Sequence, residues 1–163
     1  MRHAFYAALA LLAFAAAPVL AGERYVDQGH AVSGHDVLAY NDLDQSDLCA
    51  PQSEAVKGSP ESQTEYNGAK WLFASAANRE TFLADPEKYA PAYDGYYAFG
   101  VARGGKVPGN PNLWWIVDGK LYLKIFRPVV GFWEQEILGN ISTAETNWDN
   151  LEVAPASPLK VPA

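Results

Sequence analysis

Beyond Asp118-Gly119, Leu121, Leu123 and Ile125 alternate with Lys120, Tyr122 and Lys124. Successive strand side chains point to opposite faces, so this alternation predicts a half-buried strand with one wet side. Residues 114–117, Trp-Trp-Ile-Val, predict its hairpin partner. A similar hairpin is predicted earlier, where Tyr66-Asn67-Gly68-Ala69 leads into Lys70-Trp71-Leu72-Phe73. Asn-Gly supplies the positive φ angles that a type I′ turn requires.

Helix signals follow each hairpin. Ser75 or Asn78 is placed to cap a helix running through Phe82 and Leu83. That helix should end near Asp85-Pro86, because a residue before proline avoids the helical region. Asp85 can then cap a short turn with Pro86 in its first position, running toward Tyr89. After the second hairpin, Val130, Trp133 and Ile137 share a helical stripe. Gly139-Asn140 is expected to interrupt it. Ser142 with Glu145 three residues on reads as a capping box for a further helix that buries Ala144 and Trp148.

The pattern is thus strand–strand–helix, stated twice around a glycine-rich joint at residues 94–100. The expected fold class is α+β, a small single domain of two β-hairpin–helix (ββα) units with an irregular N-terminal segment. Residues 22–62 form a polar, turn-rich lead-in and residues 63–151 the core. Residues 152–163 form a proline-rich tail expected to stay extended and mobile.

The start of the chain changes the compartment. Arg2 and His3 precede an apolar run over residues 4–17, and Pro18 and Ala21 complete the grammar of a secretory signal peptide. Residues 1–21 are therefore expected to be cleaved after Ala21. The apolar run is shorter than the roughly 20 residues that span a bilayer, so no stable membrane anchor is expected after cleavage. The mature protein would be periplasmic or secreted. The chain carries 12 Lys and Arg against 19 Asp and Glu, a formal net charge of −7. Without a Lys/Arg cluster, this acidity argues against nucleic acid or anionic lipid as a partner. Cys49 is the sole cysteine, so no internal disulfide can form.

Residues 71–82, Trp-Leu-Phe-Ala-Ser-Ala-Ala-Asn-Arg-Glu-Thr-Phe, followed by Asp85-Pro86-Glu87-Lys88-Tyr89, resemble a YHS domain. The lead-in at residues 32–40, the Lys57-Gly58-Ser59-Pro60 segment and Tyr89-Ala90-Pro91 are similar to exported bacterial YHS-domain-containing proteins. The resemblance covers about residues 32–148 and implies a YHS-like α+β fold. It also implies an association with metal handling, since many YHS domains sit in proteins such as heavy-metal ATPases and are thought to bind metal through cysteines. The matching positions here are Ala74, Asn78 and Tyr97, so the thiols that the resemblance would supply are absent.

Other side chains offer metal ligands. His30 and His35, with Asp36 or Cys49, form a ligand set suited to copper or zinc. Asp42, Asp44 and Asp47 are spaced like a calcium loop but lack its glycine, Asp47 standing in the sixth position, and read as a solvated acidic loop. No Gly-x-Ser-x-Gly elbow, phosphate loop or dinucleotide fingerprint occurs. Cys49 with His35 is the pair an unrecognised hydrolase or redox enzyme would use. The aromatic joint supplies a different site: Tyr96, Tyr97 and Phe99, with Trp115 beside Trp114, are candidates to line a groove. The leading expectation is a non-catalytic periplasmic binding or accessory module for a small ligand or a periplasmic protein partner. Metal binding or handling is the alternative, and an unrecognised enzyme the third.

Overall fold

The computed structural model describes residues 24–46, 51–125 and 127–159, with the side chains of 127–130 outside that description. The expected signal peptide, Asp47 and Cys49 therefore lie outside the described residues. The fold is α+β. Its strands are β1 (Val26–Asp27), β2 (His30–Ala31), β3 (Ser59–Tyr66), β4 (Ala69–Phe73), β5 (Asn110–Val117) and β6 (Lys120–Lys124). Its helices are α1 (Ala76–Ala84), α2 (Pro86–Tyr89), α3 (Ala98–Ala102), α4 (Arg127–Glu134) and α5 (Ile137–Leu151).

Both hairpin turns use the residues their geometry demands. Asn67 and Gly68 have φ of 47° and 72°, and Asp118 and Gly119 have 49° and 76°. Positive φ at both central positions matches the right-handed twist of the flanking strands. The first hairpin does not stand alone. β2 joins β4 in parallel through His30 and Lys70, giving a four-stranded sheet in the order β1-β2-β4-β3. β5 and β6 form a separate antiparallel pair.

β6 has no wet side, contrary to its alternating pattern. Leu121 and Leu123 pack into one core with Trp71, Phe73, Phe82, Trp114 and, from the lead-in, Val32, Val37 and Tyr40. Tyr122 packs into a second core with Tyr93, Tyr96, Val101, Trp133, Ile141 and Ala144. The strand is the wall between two cores, so both of its faces are buried. Lys124 is only 2% exposed and is neutralised by Glu134 of α4 at 2.8 Å.

The C-terminal helices also divide differently from expectation. The break falls at Gln135 and Glu136, and α5 runs through Gly139, Asn140 and Ser142. Asn140 donates its side-chain amide to the carbonyl of Trp133 at 3.1 Å, so it closes the end of α4 from inside α5. The tail is held down where it is described. Lys106 Nζ donates to the carbonyls of Glu152 and Ala154, and Ser157 N donates to the Lys106 carbonyl at 2.7 Å. Among the described residues, no helix is long and apolar enough to cross a membrane.

Candidate functional site

The start of α1 is built around a buried carboxylate. Ser75 is the N-cap, its hydroxyl accepting from Asn78 N at 3.1 Å. Asp36 is fully buried and reaches the same turn from the lead-in. Its Oδ2 accepts from Ala74 N at 2.8 Å and from Asn78 Nδ2 at 2.6 Å, and its Oδ1 accepts from Leu38 N at 2.8 Å. Three donors on one carboxylate balance the cost of burying its charge. Asp36 therefore acts as an anchor between the lead-in and α1.

Residues of the lead-in, the first hairpin, residues 87–94, the start of β6 and α5 line an open cavity of about 240 Å³. Arg24, Lys120, Asp94 and Glu87 supply its charged lining, and Tyr66, Tyr93 and Trp148 its rings. Tyr93, Asp94 and Gly95 form a left-handed turn, with φ of 53°, 54° and 85°. Non-glycine residues rarely adopt that region, and such strain persists only where surrounding contacts hold it. Tyr25 N donates to the Asp94 carbonyl at 3.1 Å, and Arg24 Nη2 meets Asp94 Oδ1 at 2.6 Å. These two contacts tie the lead-in to the turn.

Arg24 lies over the Trp71 ring, with its guanidinium carbon 5.3 Å from the ring centre, and over Tyr66 at 6.0 Å. Its side chain is only 9% exposed, and Nε and Nη1 have no hydrogen-bond partner among the described residues. Burial lowers its pKa from the usual arginine range, against the opposing pull of Asp94. Lys120 stands in position through the turn before β6, its Nζ donating to the Glu87 carbonyl at 2.7 Å. Burial first, and then the neighbouring Arg24 charge, push its pKa down, against the opposing pull of Glu87, Asp85 and Asp94. The cavity thus sets two cations and two carboxylates beside three aromatic rings, a mostly polar lining that can recognise a small polar ligand.

The helix start, the first hairpin and most of the cavity's wall come from one stretch of chain. The family model of the YHS domain matches residues 53–93. No curated protein matches this chain, and no solved structure does. The YHS segment supplies Tyr66, Glu87 and Tyr93 to the cavity, while Arg24 and Lys120 come from either side of it.

Of the positions matched to YHS cysteines, Ala74 and Asn78 both bond Asp36, and Tyr97 is buried in the joint. The metal-ligand candidates are spread apart in role. His30 is half-buried in β2. His35 is buried, and its Nδ1 is bonded to the Val32 carbonyl at 2.9 Å. Burial lowers its pKa. Asp36 has both oxygens engaged as above, and Cys49 lies outside the described residues. Among the described residues, no group of three or more His, Cys, Asp or Glu is arranged to hold a metal ion.

The aromatic candidates sit largely inside. Tyr96, Tyr97 and Trp115 are buried and Phe99 is half-buried. Tyr96 belongs to the second core, and Trp115 lies against the Lys124 ammonium at 4.4 Å. Tyr97 stacks edge-on to Phe99 at 6.2 Å, and its hydroxyl is buried without a hydrogen-bond partner. Burial pushes the Tyr97 pKa up to about 12. Sequence reasoning did not single out Arg24, Lys120 or Asp94, because no local motif joins residues so distant along the chain.

Proposed function

We propose that this protein is a non-catalytic, exported binding module that holds a small ligand in the cavity between Arg24 and Lys120. The observation that carries this reading is the cavity itself. Arg24, Lys120, Asp94 and Glu87 share its lining with Tyr66, Tyr93 and Trp148, a mix of charges and rings suited to holding a small polar ligand. The expected signal peptide at residues 1–21 would place the module in the periplasm or outside the cell. Its acidity disfavours nucleic acid as the partner. The test is nuclear magnetic resonance screening of the mature protein against a mixed library of small acids, amines and neutral compounds. Ligand-dependent shifts should cluster around Tyr66, Asp94, Lys120 and Trp148. Shifts confined to Tyr96, Tyr97, Phe99 and Trp115 would move the site to the joint, and no binder at all would overturn the reading.

A second reading, metal handling, is favoured by the match of residues 53–93 to the YHS domain. Copper or zinc would then use His30, His35, Asp36 and Cys49, at the expense of the Asp36 anchor. Near-stoichiometric metal in protein purified without chelators, lost in His30→Ala/His35→Ala, would establish it.

A further inference from the structure

We infer that the segment from Glu152 to Ser157 is a latch on the cavity: through Lys106 it holds Trp148, one ring of the cavity lining, and its release loosens that wall. This goes beyond the binding-module reading, because it concerns what moves and holds whether or not the cavity takes a ligand.

The first argument is where the latch is fastened. Lys106 is buried, and its Nζ donates to the carbonyls of Glu152 and Ala154 at 2.8 and 3.2 Å, just past the end of α5. A cation placed there also meets the negative end of the helix dipole. The backbone of the same residue takes the far end of the segment, its carbonyl accepting from Ser157 N at 2.7 Å. Lys106 therefore holds the segment at both ends.

What else Lys106 touches gives the second argument. Its Nζ lies 4.8 Å from the centre of the Tyr96 ring and 5.6 Å from that of Trp148. Trp148 lines the cavity and is in ring contact at 5.6 Å with Tyr93, which lines it too. Glu152 adds a second link, since its charge acts on Arg24 of the same lining. A buried ammonium that loses two acceptors is costly. Release of the segment thus draws Lys106 toward water and away from both rings.

The third argument is that the segment can come away locally. Pro155 and Pro158 carry no N–H, so this stretch can neither extend α5 nor join a strand ladder along its length. Val153 and Leu159 are 73% and 56% exposed, and Pro155 is exposed between them. Ala156 packs against the second core. Few buried apolar contacts and few backbone bonds put a segment at the low end of local stability, so its opening leaves both cores folded.

The test cuts the latch at one end and reads the other, by nuclear magnetic resonance and amide exchange on the mature protein. Ser157→Pro removes the donor to the Lys106 carbonyl at a position outside the cavity lining. The amides of Ala154 and Leu159 should exchange faster, and the Trp148 indole and Tyr93 ring resonances should shift, with the melting temperature close to that of the wild type. Lys106→Met keeps the aliphatic body and removes the ammonium. The Ser157 amide should then exchange at least about tenfold faster. Tail amides freed in Ser157→Pro while Trp148 and Tyr93 stay unmoved would overturn the latch and leave the tail as separate packing. Tail amides still protected in Ser157→Pro would overturn the fastening at Lys106, as would unchanged Ser157 exchange in Lys106→Met. If Lys106→Met does not fold, Ser157→Pro decides alone. No readout uses a ligand, so failure here leaves the binding-module reading standing, and a library without a binder leaves the latch standing.

Discussion

The two cores of this molecule hold buried charge by different partners. Beside the first, Asp36 is held by two backbone amides and the Asn78 side chain. Around the second, lysines are held by rings, carbonyls and a carboxylate. Lys106 lies over Tyr96 at 4.8 Å and Trp148 at 5.6 Å while donating to tail carbonyls. Lys124, on the wall between the cores, pairs with Glu134 of α4 and lies over Trp115. The contrast has a structural meaning. Any substitution short of proline leaves the backbone amides in place, so Asp36 answers a fixed demand in the turn before α1. Lys124 and Glu134 bring opposite charges together from side chains, and both charges can be removed at once. It also shows that the YHS segment is not closed by its own residues. The match spans residues 53–93, yet Asp36, outside it, completes the turn at Ala74 and Asn78.

The largest effect should therefore come from Asp36→Ala. It would strand the donors of Leu38, Ala74 and Asn78, each of which now meets an ionised acceptor. A loss of about 4 kcal/mol is expected in urea unfolding, since bonds to charged groups contribute more than neutral ones. Asp36→Asn keeps one acceptor oxygen and should lose about half as much. A stability near that of the wild type in Asp36→Ala would mean that water replaces the carboxylate, and the contrast between the two cores would fail.

Next is the Lys124–Glu134 pair. Lys124→Met alone leaves a buried carboxylate without its cation and should cost about 3 kcal/mol. The double variant Lys124→Met/Glu134→Leu removes both charges and should return to within about 1 kcal/mol of the wild type. That recovery separates the cores experimentally, because truncating a second side chain leaves the amides of Leu38 and Ala74 facing the empty Asp36 position. A double variant as unstable as the single one would show that Lys124 acts mainly through Trp115.

What was readable from the sequence was local. Asn67-Gly68 and Asp118-Gly119 carry their turn geometry in their own chemistry, and Ser75 and Asp85 carry their caps. The α+β class follows from those signals. The wetness of β6 was not readable, because alternation shows which residues share a face and not whether both faces are covered. Lys124 reads as a surface residue until α4 brings Glu134 against it. The break between α4 and α5 was misplaced for a related reason. Gly139-Asn140 is a helix-ending signal, but Asn140 uses its side chain to finish the preceding helix while its backbone continues the next. Asp36 reads as a ligand type, yet two of its three partners lie 38 and 42 residues away. The cavity was invisible for the same reason, since Arg24, Asp94 and Lys120 converge only in the folded chain.

The helix cap offers a smaller, local comparison with the Asp36 anchor on the same turn. Ser75→Ala removes the acceptor for Asn78 N but leaves the Asp36 bonds to Ala74 and Asn78 in place. A loss of about 1 kcal/mol is expected. Applied together with Asp36→Ala, the two losses should not add, because both variants act on Asn78 and contacting residues couple. A strictly additive double variant would show that the cap and the carboxylate hold the turn independently.

The smallest expected effect is a pH dependence from His35, three residues from Val32 and beside the anchor. Burial dominates in lowering its pKa below the usual 6.5, the Lys57 charge acts in the same direction, and the Val32 carbonyl and Glu54 oppose both. The folded state thus prefers the neutral ring. Well above pH 6.5 the ring is neutral in folded and unfolded chains alike, so His35 adds no pH slope there. As pH falls below that value, the unfolded chain takes up the proton first, and stability declines until the folded ring also titrates. Urea midpoints compared between about pH 7.5 and 5.5 should drop in the wild type and drop less in His35→Gln. Gln can still donate to the Val32 carbonyl, so the comparison isolates the charge from the hydrogen bond. Equal slopes in the two proteins would assign the pH dependence to other groups and leave His35 as a packing residue of the first core.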